Sequence, residues 1–262
     1  VIPAAGLLSL FGAAPAGAAP ASAGEAIPAL RRARAPEAEA RGTARIAREP
    51  EVARTLSQFR EAIASARDLN AALRDRRVQA VLLPALGLPE AIGQTGLVQR
   101  ALQADPTTRD GLLSRRSDGR WRDAARSLDL FRRGLDGLRD PQVQNRLADG
   151  FTQYRWRQSQ DQVSPGISDA LYFQSRAKDV RDVFAVLGDP VMRRVVTGAL
   201  GLPEQLAIQS VEAQARAVTS RLPLAKLADP REVQRLAERY VLQRAQGATQ
   251  GQPASPLLSL FA

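Results

Sequence analysis

Residues 67–90 read RDLNAALRDRRVQAVLLPALGLPE, and residues 181–204 read RDVFAVLGDPVMRRVVTGALGLPE. The two stretches align without gaps, 114 positions apart, and share 12 of 24 residues. That repetition constrains the fold because each copy carries the same local instructions. Asp68 and Asp182 are placed to accept from the free amides of a short helix, and Asp75 and Asp189 do the same for a second helix seven residues on. The second helix offers Val78, Val81, Leu82 and Ala85 on one face, matched in the other copy by Met192, Val195, Val196 and Ala199. Gly87 and Gly201 can adopt the left-handed conformation past the helix end, Leu88 and Leu202 fold back on the last turn, and Pro89 and Pro203 forbid continuation. Glu90 and Glu204 then fall in the first turn of the next helix, where the dipole favours a carboxylate. Pro84 deletes one helical hydrogen bond in the first copy, where the second has Gly198. The Gly-Leu-Pro turn lacks the glycine density of a phosphate cradle, so it reads as a helix stop used twice.

The chain around these copies also reads as helix. Glu49-Pro50 places proline at a first helical position, and Val52, Leu56, Phe59 and Ile63 succeed it at helical spacing. Asp118 precedes Trp121, Ala125, Leu128 and Phe131 on one face. Asp-Pro pairs at 105–106, 140–141, 189–190 and 229–230 each predict a helix start, the carboxylate capping amides while proline sits where no N–H is missed. The pair at 140 leads to Val143, Leu147, Phe151 and Tyr154 as an inward face; the pair at 229 leads to Val233, Leu236, Ala237 and Tyr240. No stretch alternates with period two. The expected fold is all-α and multihelical, with two related helical subdomains at 48–139 and 140–246. An Ala/Pro-rich tail at 1–47 is expected to be disordered, and 247–262 to be a flexible C-terminal tail.

The two ends share a peptide. Leu7-Leu8-Ser9-Leu10-Phe11 recurs as Leu257-Leu258-Ser259-Leu260-Phe261, each beside a Pro/Gly/Ala-rich stretch. An apolar peptide on a leash could dock in a groove, which makes Leu257, Leu258, Leu260 and Phe261 candidate interaction residues; recurrence by coincidence in a Leu- and Ala-rich chain is the other reading. Residues 1–23 have an apolar centre and Ala-Ser-Ala at 21–23. They lack the basic segment that opens a signal peptide, and Pro15 and Pro20 interrupt them, so a conventional signal peptide is not expected.

Composition excludes several chemistries. The sequence holds no Cys and no His, which removes thiol nucleophiles, disulfides, zinc knuckles and the usual general base at neutral pH. No 18-residue apolar run free of charges and of Pro appears, so a spanning helix is not expected. Lysine and arginine total 37 against 27 acidic residues, a formal charge of +10, and all but Lys178 and Lys226 are arginine. The surplus is spread along the chain: 8 basic and 4 acidic residues in 31–60, 12 and 8 in 101–160, 12 and 10 in 161–262. Such interspersed charge reads as a solvated, ion-paired surface, and nucleic-acid binding, which focused charge drives, is the alternative reading and not the expected one. Carboxylates fall at helix starts or beside arginines. Asp179 and Asp182 are one turn apart but flanked by Lys178 and Arg181, and Ser164-Pro165-Gly166 is a loop and cap. No catalytic, cofactor or metal residues are assigned. The richest aromatic stretch holds Phe151, Tyr154, Arg155, Trp156 and Arg157. At helical spacing Trp156 falls off the inward face, so Arg155, Trp156 and Arg157 are the candidate protein-contact group.

Residues 49–246 resemble the bacterial family called domain of unknown function 1217. The likeness rests on Ala66-Arg67-Asp68-Leu69, Asp75-Arg76-Arg77, Ala85-Leu86-Gly87-Leu88, Leu102 to Asp105, Asp118 to Trp121 with Ala124-Ala125, Asp169 to Phe173, and Leu187-Gly188-Asp189-Pro190 onward through ALGLPE. The resemblance implies a multihelical protein of alphaproteobacteria, often flagellum-associated, with no established activity. The resulting expectation is a non-enzymatic interaction protein without a cofactor, accessory to flagellar structure, assembly or regulation. Its partners would be proteins, with flagellar components the candidates, and its place cytoplasmic or flagellum-associated. A basic nucleic-acid-associated helical protein is the alternative.

Overall fold

The computed structural model describes residues 23–250, and among them every regular element is helical. Two apolar cores organise them. The first core gathers α2 (Pro36–Ala47), α3 (Pro50–Ser65), α4 (Leu69–Arg74), α5 (Arg76–Ala85), α6 (Thr95–Leu102), α7 (Arg120–Leu128), α8 (Leu130–Arg133), α9 (Leu135–Arg139) and α10 (Pro141–Gln160). The second gathers α1 (Ala23–Ala33), α11 (Ile167–Arg176), α12 (Val183–Gly188), α13 (Pro190–Ala199), α14 (Val211–Thr219) and α15 (Pro230–Gln250). From α1 to α15 the described residues therefore run from the second core into the first and back. Leu171 packs against both.

The two repeated stretches fold alike. Each forms a helix of 6 residues and one of 10. Asp68 and Asp182 accept from the amides of Ala71 and Ala185, both at 2.7 Å. Asp75 caps α5 through the Arg77 amide, and Asp189 caps α13 through those of Val191 and Met192. Both longer helices end the same way. Gly87 and Gly201 have φ of 73° and 61°, and the amides of Leu88 and Leu202 reach back to the carbonyls of Leu83 and Thr197 at 2.8 and 2.9 Å. With the bonds from Gly87 to Pro84 and from Gly201 to Gly198, each is a Schellman closure, and the next leucine is buried beneath it.

The predicted inward faces of α3, α10 and α15 are in the cores at Val52, Phe59, Ile63, Val143, Leu147, Phe151, Val233, Leu236, Ala237 and Tyr240. Five expectations are corrected here. Residues 23–47 are not a disordered tail: Ala26, Ala29, Leu30 and Ala33 make one face of α1, and small alanines let it lie close on α15 in the second core. The boundary at 139/140 fails because α10 buries its face in the first core, which places the junction in the loop before α11; a proline-led helix start does not start a new core. Residues 247–250 continue α15. Asp105-Pro106 starts no helix, since the Asp105 carboxylate is taken by the amide and hydroxyl of Thr107 in a turn. Phe131 also leaves its expected face: Asp129 turns left-handed (φ 49°), α7 ends, and Phe131 is exposed. Residues 257–261 and 7–11, including Leu257, Leu258, Leu260 and Phe261, lie outside the described residues.

Candidate interaction site at the junction of the two cores

Asp118 sets the junction up locally. Its carboxylate accepts from the Arg120 amide at 3.1 Å, opening α7, and from the Arg120 Nε and Nη2 at 2.9 Å each. The guanidinium, held in that orientation, reaches back to the first helix stop, where Nη1 donates to the Gly87 carbonyl at 2.5 Å and Nη2 to the Glu90 carboxylate at 2.5 Å. On its other side stands the second core. The Asp189 carboxylate caps α13 with Oδ1, accepts the Tyr172 hydroxyl on Oδ2 at 2.7 Å, and presents Oδ2 to Arg120 at 3.6 Å. Tyr172 lies over Gly87, and the Arg157 guanidinium sits 5.6 Å from its ring centre.

Burial decides the electrostatics of this network. Arg120 is 4% exposed, Asp118 7% and Asp189 5%. Burial opposes the charge on Arg120, but its hydrogen bond to Asp118 and the charges of Asp189 and Asp118 outweigh it and raise its pKa further. Tyr172 is pushed up as well, by burial first and then by the Asp189 carboxylate. Neither group exchanges a proton near neutral pH, so the network acts as an electrostatic clamp between the cores and not as an acid–base pair. Gly188 tightens the same junction: a Cβ there would meet the Ser117 carbonyl carbon at 2.6 Å.

Beside the clamp, residues 114–126 of the first half and 176–192 of the second wall a cleft of about 720 Å³. The Arg176 guanidinium crosses it to the Asp123 carboxylate at 2.8 Å. A second groove of about 720 Å³ runs between α13 and α15, with Thr197, Gly198, Leu202, Leu206 and Tyr240 among its walls. Just past its Leu206–Ala207 wall, Ile208 is 88% and Val211 49% exposed. Among the described residues no group of three or more Asp or Glu is arranged to hold a metal ion, and no helix is long and apolar enough to cross a membrane.

The predicted contact group is dispersed. Trp156 is buried in the first core with α2 laid across its indole so closely that a Cβ on Gly42 would collide with Nε1. The expectation that Trp156 is a surface residue is therefore corrected: α2, expected to be part of a tail, supplies the cover. Arg155 pairs with Glu51 of α3 at 3.3 Å, and Arg157 turns to Tyr172. Sequence reasoning missed Arg120, Tyr172 and the second role of Asp189. Asp189 reads only as a cap, since the clamp joins residues far apart in the chain.

The architecture defines an all-helical protein with two cores joined by a buried arginine clamp. The chain belongs to the family described as "Protein of unknown function (DUF1217)", whose match covers residues 85–233, from the first helix stop into α15. Its fold is similar to the X-ray crystal structure of a protein from Agrobacterium tumefaciens, with a TM-score of 0.68 and 20% sequence identity over 91% of this chain and 100% of that one. Comparison with curated proteins gives no match.

Proposed function

We propose that this is a non-enzymatic protein-interaction module, accessory to bacterial flagellar structure, assembly or regulation. The flagellar setting comes from the family resemblance. The interaction reading is carried by one observation: Ile208, 88% exposed, and half-exposed Val211 follow the Leu206–Ala207 wall of the α13–α15 groove in sequence, so two large apolar side chains three positions apart are left in water there. Two such side chains within one short segment supply apolar area that a partner would cover.

The test is affinity purification of the tagged full chain from its native host, with nuclease and at moderate salt, and mass spectrometry of the captured proteins. Rod, hook, motor or export proteins captured by the wild type and lost with Ile208→Asp/Val211→Asp support the reading. Capture of ribosomal or nucleoid proteins that vanishes on nuclease treatment overturns it in favour of nucleic-acid association.

A further inference from the structure

The cleft beside the clamp is lined by seven arginines and five aspartates, and the two sets are differently engaged. Asp118 and Asp189 face Arg120; Asp123 and Asp179 face Arg176 at 2.8 and 3.8 Å; Asp182 caps α12. Arg115, Arg116, Arg122, Arg126 and Arg181 have no carboxylate within ion-pair distance among the described residues. Arg122 donates only to the Leu113 carbonyl. Arg116 lies over the Trp121 ring at 5.5 Å, with its Nε buried and unpartnered. Arg122 and Arg126 are one turn apart on α7 and so share a face, while Arg181 comes from the opposite wall. Phe184, 44% exposed, adds an aromatic surface between them.

We infer that this cleft binds an acidic segment of a partner protein, one whose carboxylates are spaced by apolar side chains. Guanidinium groups without carboxylates supply bidentate partners for such side chains, and Phe184 supplies the apolar contact. The exposed Asp123 and Asp179 that interrupt the arginines favour a polypeptide over a nucleic acid, because a phosphate backbone would carry uniform negative charge past them. The inference rests on the interaction reading above and adds the chemistry of the partner.

The experiment uses the purified full chain and two labelled probes, a synthetic peptide of glutamates alternating with leucine and phenylalanine, and an oligodeoxythymidine. Binding is measured by fluorescence anisotropy at physiological salt for the wild type, for Arg115→Glu/Arg126→Glu/Arg181→Glu, and for Arg100→Glu/Arg221→Glu, which removes the same kind of charge outside the cleft. All three cleft positions are exposed, so the variant is expected to fold, and circular dichroism checks it. The expected result is peptide binding that weakens by about tenfold or more in the cleft variant and little in the control. Equal weakening in both variants, or binding of the oligonucleotide in preference to the peptide, overturns the assignment. Absence of peptide binding while the wild type still captures host proteins overturns the cleft assignment and leaves the interaction reading standing; absence of both removes both.

Discussion

The Nε of Arg120 lies 3.6 Å from Oδ2 of Asp189, and this ion pair ties the first turn of α7 in one core to the cap of α13 in the other. Asp189 also caps its own helix and accepts the Tyr172 hydroxyl, so one carboxylate sets a local boundary and a long-range orientation together.

Removing the cation should therefore cost more than removing a surface ion pair. Arg120→Met leaves Asp118 and Asp189 buried without their counter-charge, and unfolding free energy should fall by about 3–5 kcal/mol in denaturant titrations. Arg120→Lys should recover only part of that, since an ammonium cannot serve Asp118, Gly87 and Glu90 in one plane. A loss under about 1 kcal/mol for the Met variant, the value of an exposed pair, would show that the clamp does not hold the cores together.

Trp156 should behave as a core residue. Trp156→Ala is expected to destabilise by about 3–5 kcal/mol. The indoles of Trp121 and Trp156, both nearly fully buried, should emit at short wavelength and resist acrylamide until the chain unfolds. A Trp156→Ala variant with wild-type stability would return this residue to the surface.

Two helical glycines should respond in opposite directions to alanine. Gly188→Ala forces a Cβ against the Ser117–Asp118 backbone and should cost about 1–3 kcal/mol. Gly247, in α15, has nothing within 4 Å of the same atom, so Gly247→Ala should stabilise by up to about 1 kcal/mol. Thermal unfolding of both variants measures the contrast; a stabilised Gly188→Ala would mean the contact at the junction is not close.

The Asp75 cap predicts an acid-side pH dependence. The Arg77 guanidinium, 2.7 Å away, holds the Asp75 carboxyl below its usual range; partial burial opposes this and the Arg77 amide adds to it. With the folded pKa below the unfolded value of about 3.9, the stabilisation is complete above that pH and is lost as pH falls through the folded value. The difference in unfolding midpoint between wild type and Asp75→Ala should hold steady from neutrality to about pH 4 and shrink below it. A difference that widens with acid would contradict the sign.

Local sequence specifies the helices and most of their ends. Asp68, Asp75, Asp182 and Asp189 cap as read, and Gly87 and Gly201 stop their helices as read, because capping and left-handed termination need only residues within a turn of one another. The inward faces of α3, α10 and α15 were legible for the same reason, since helical period is a local property. Which faces meet depends on the assembled fold. Ala26, Ala29, Leu30 and Ala33 look like low-complexity tail until α15 is beside them, and Trp156 looks free until α2 covers it. Asp75 and Asp189 occupy equivalent positions, yet one pairs with its neighbour Arg77 and the other with Arg120 from the opposite core. The arginine surplus reads as diffuse along the chain, yet Arg115, Arg122 and Arg126 share one cleft with Arg181. Pairings of this kind depend on where distant helices come to rest, and burial and charge compensation fix that only when both cores are assembled.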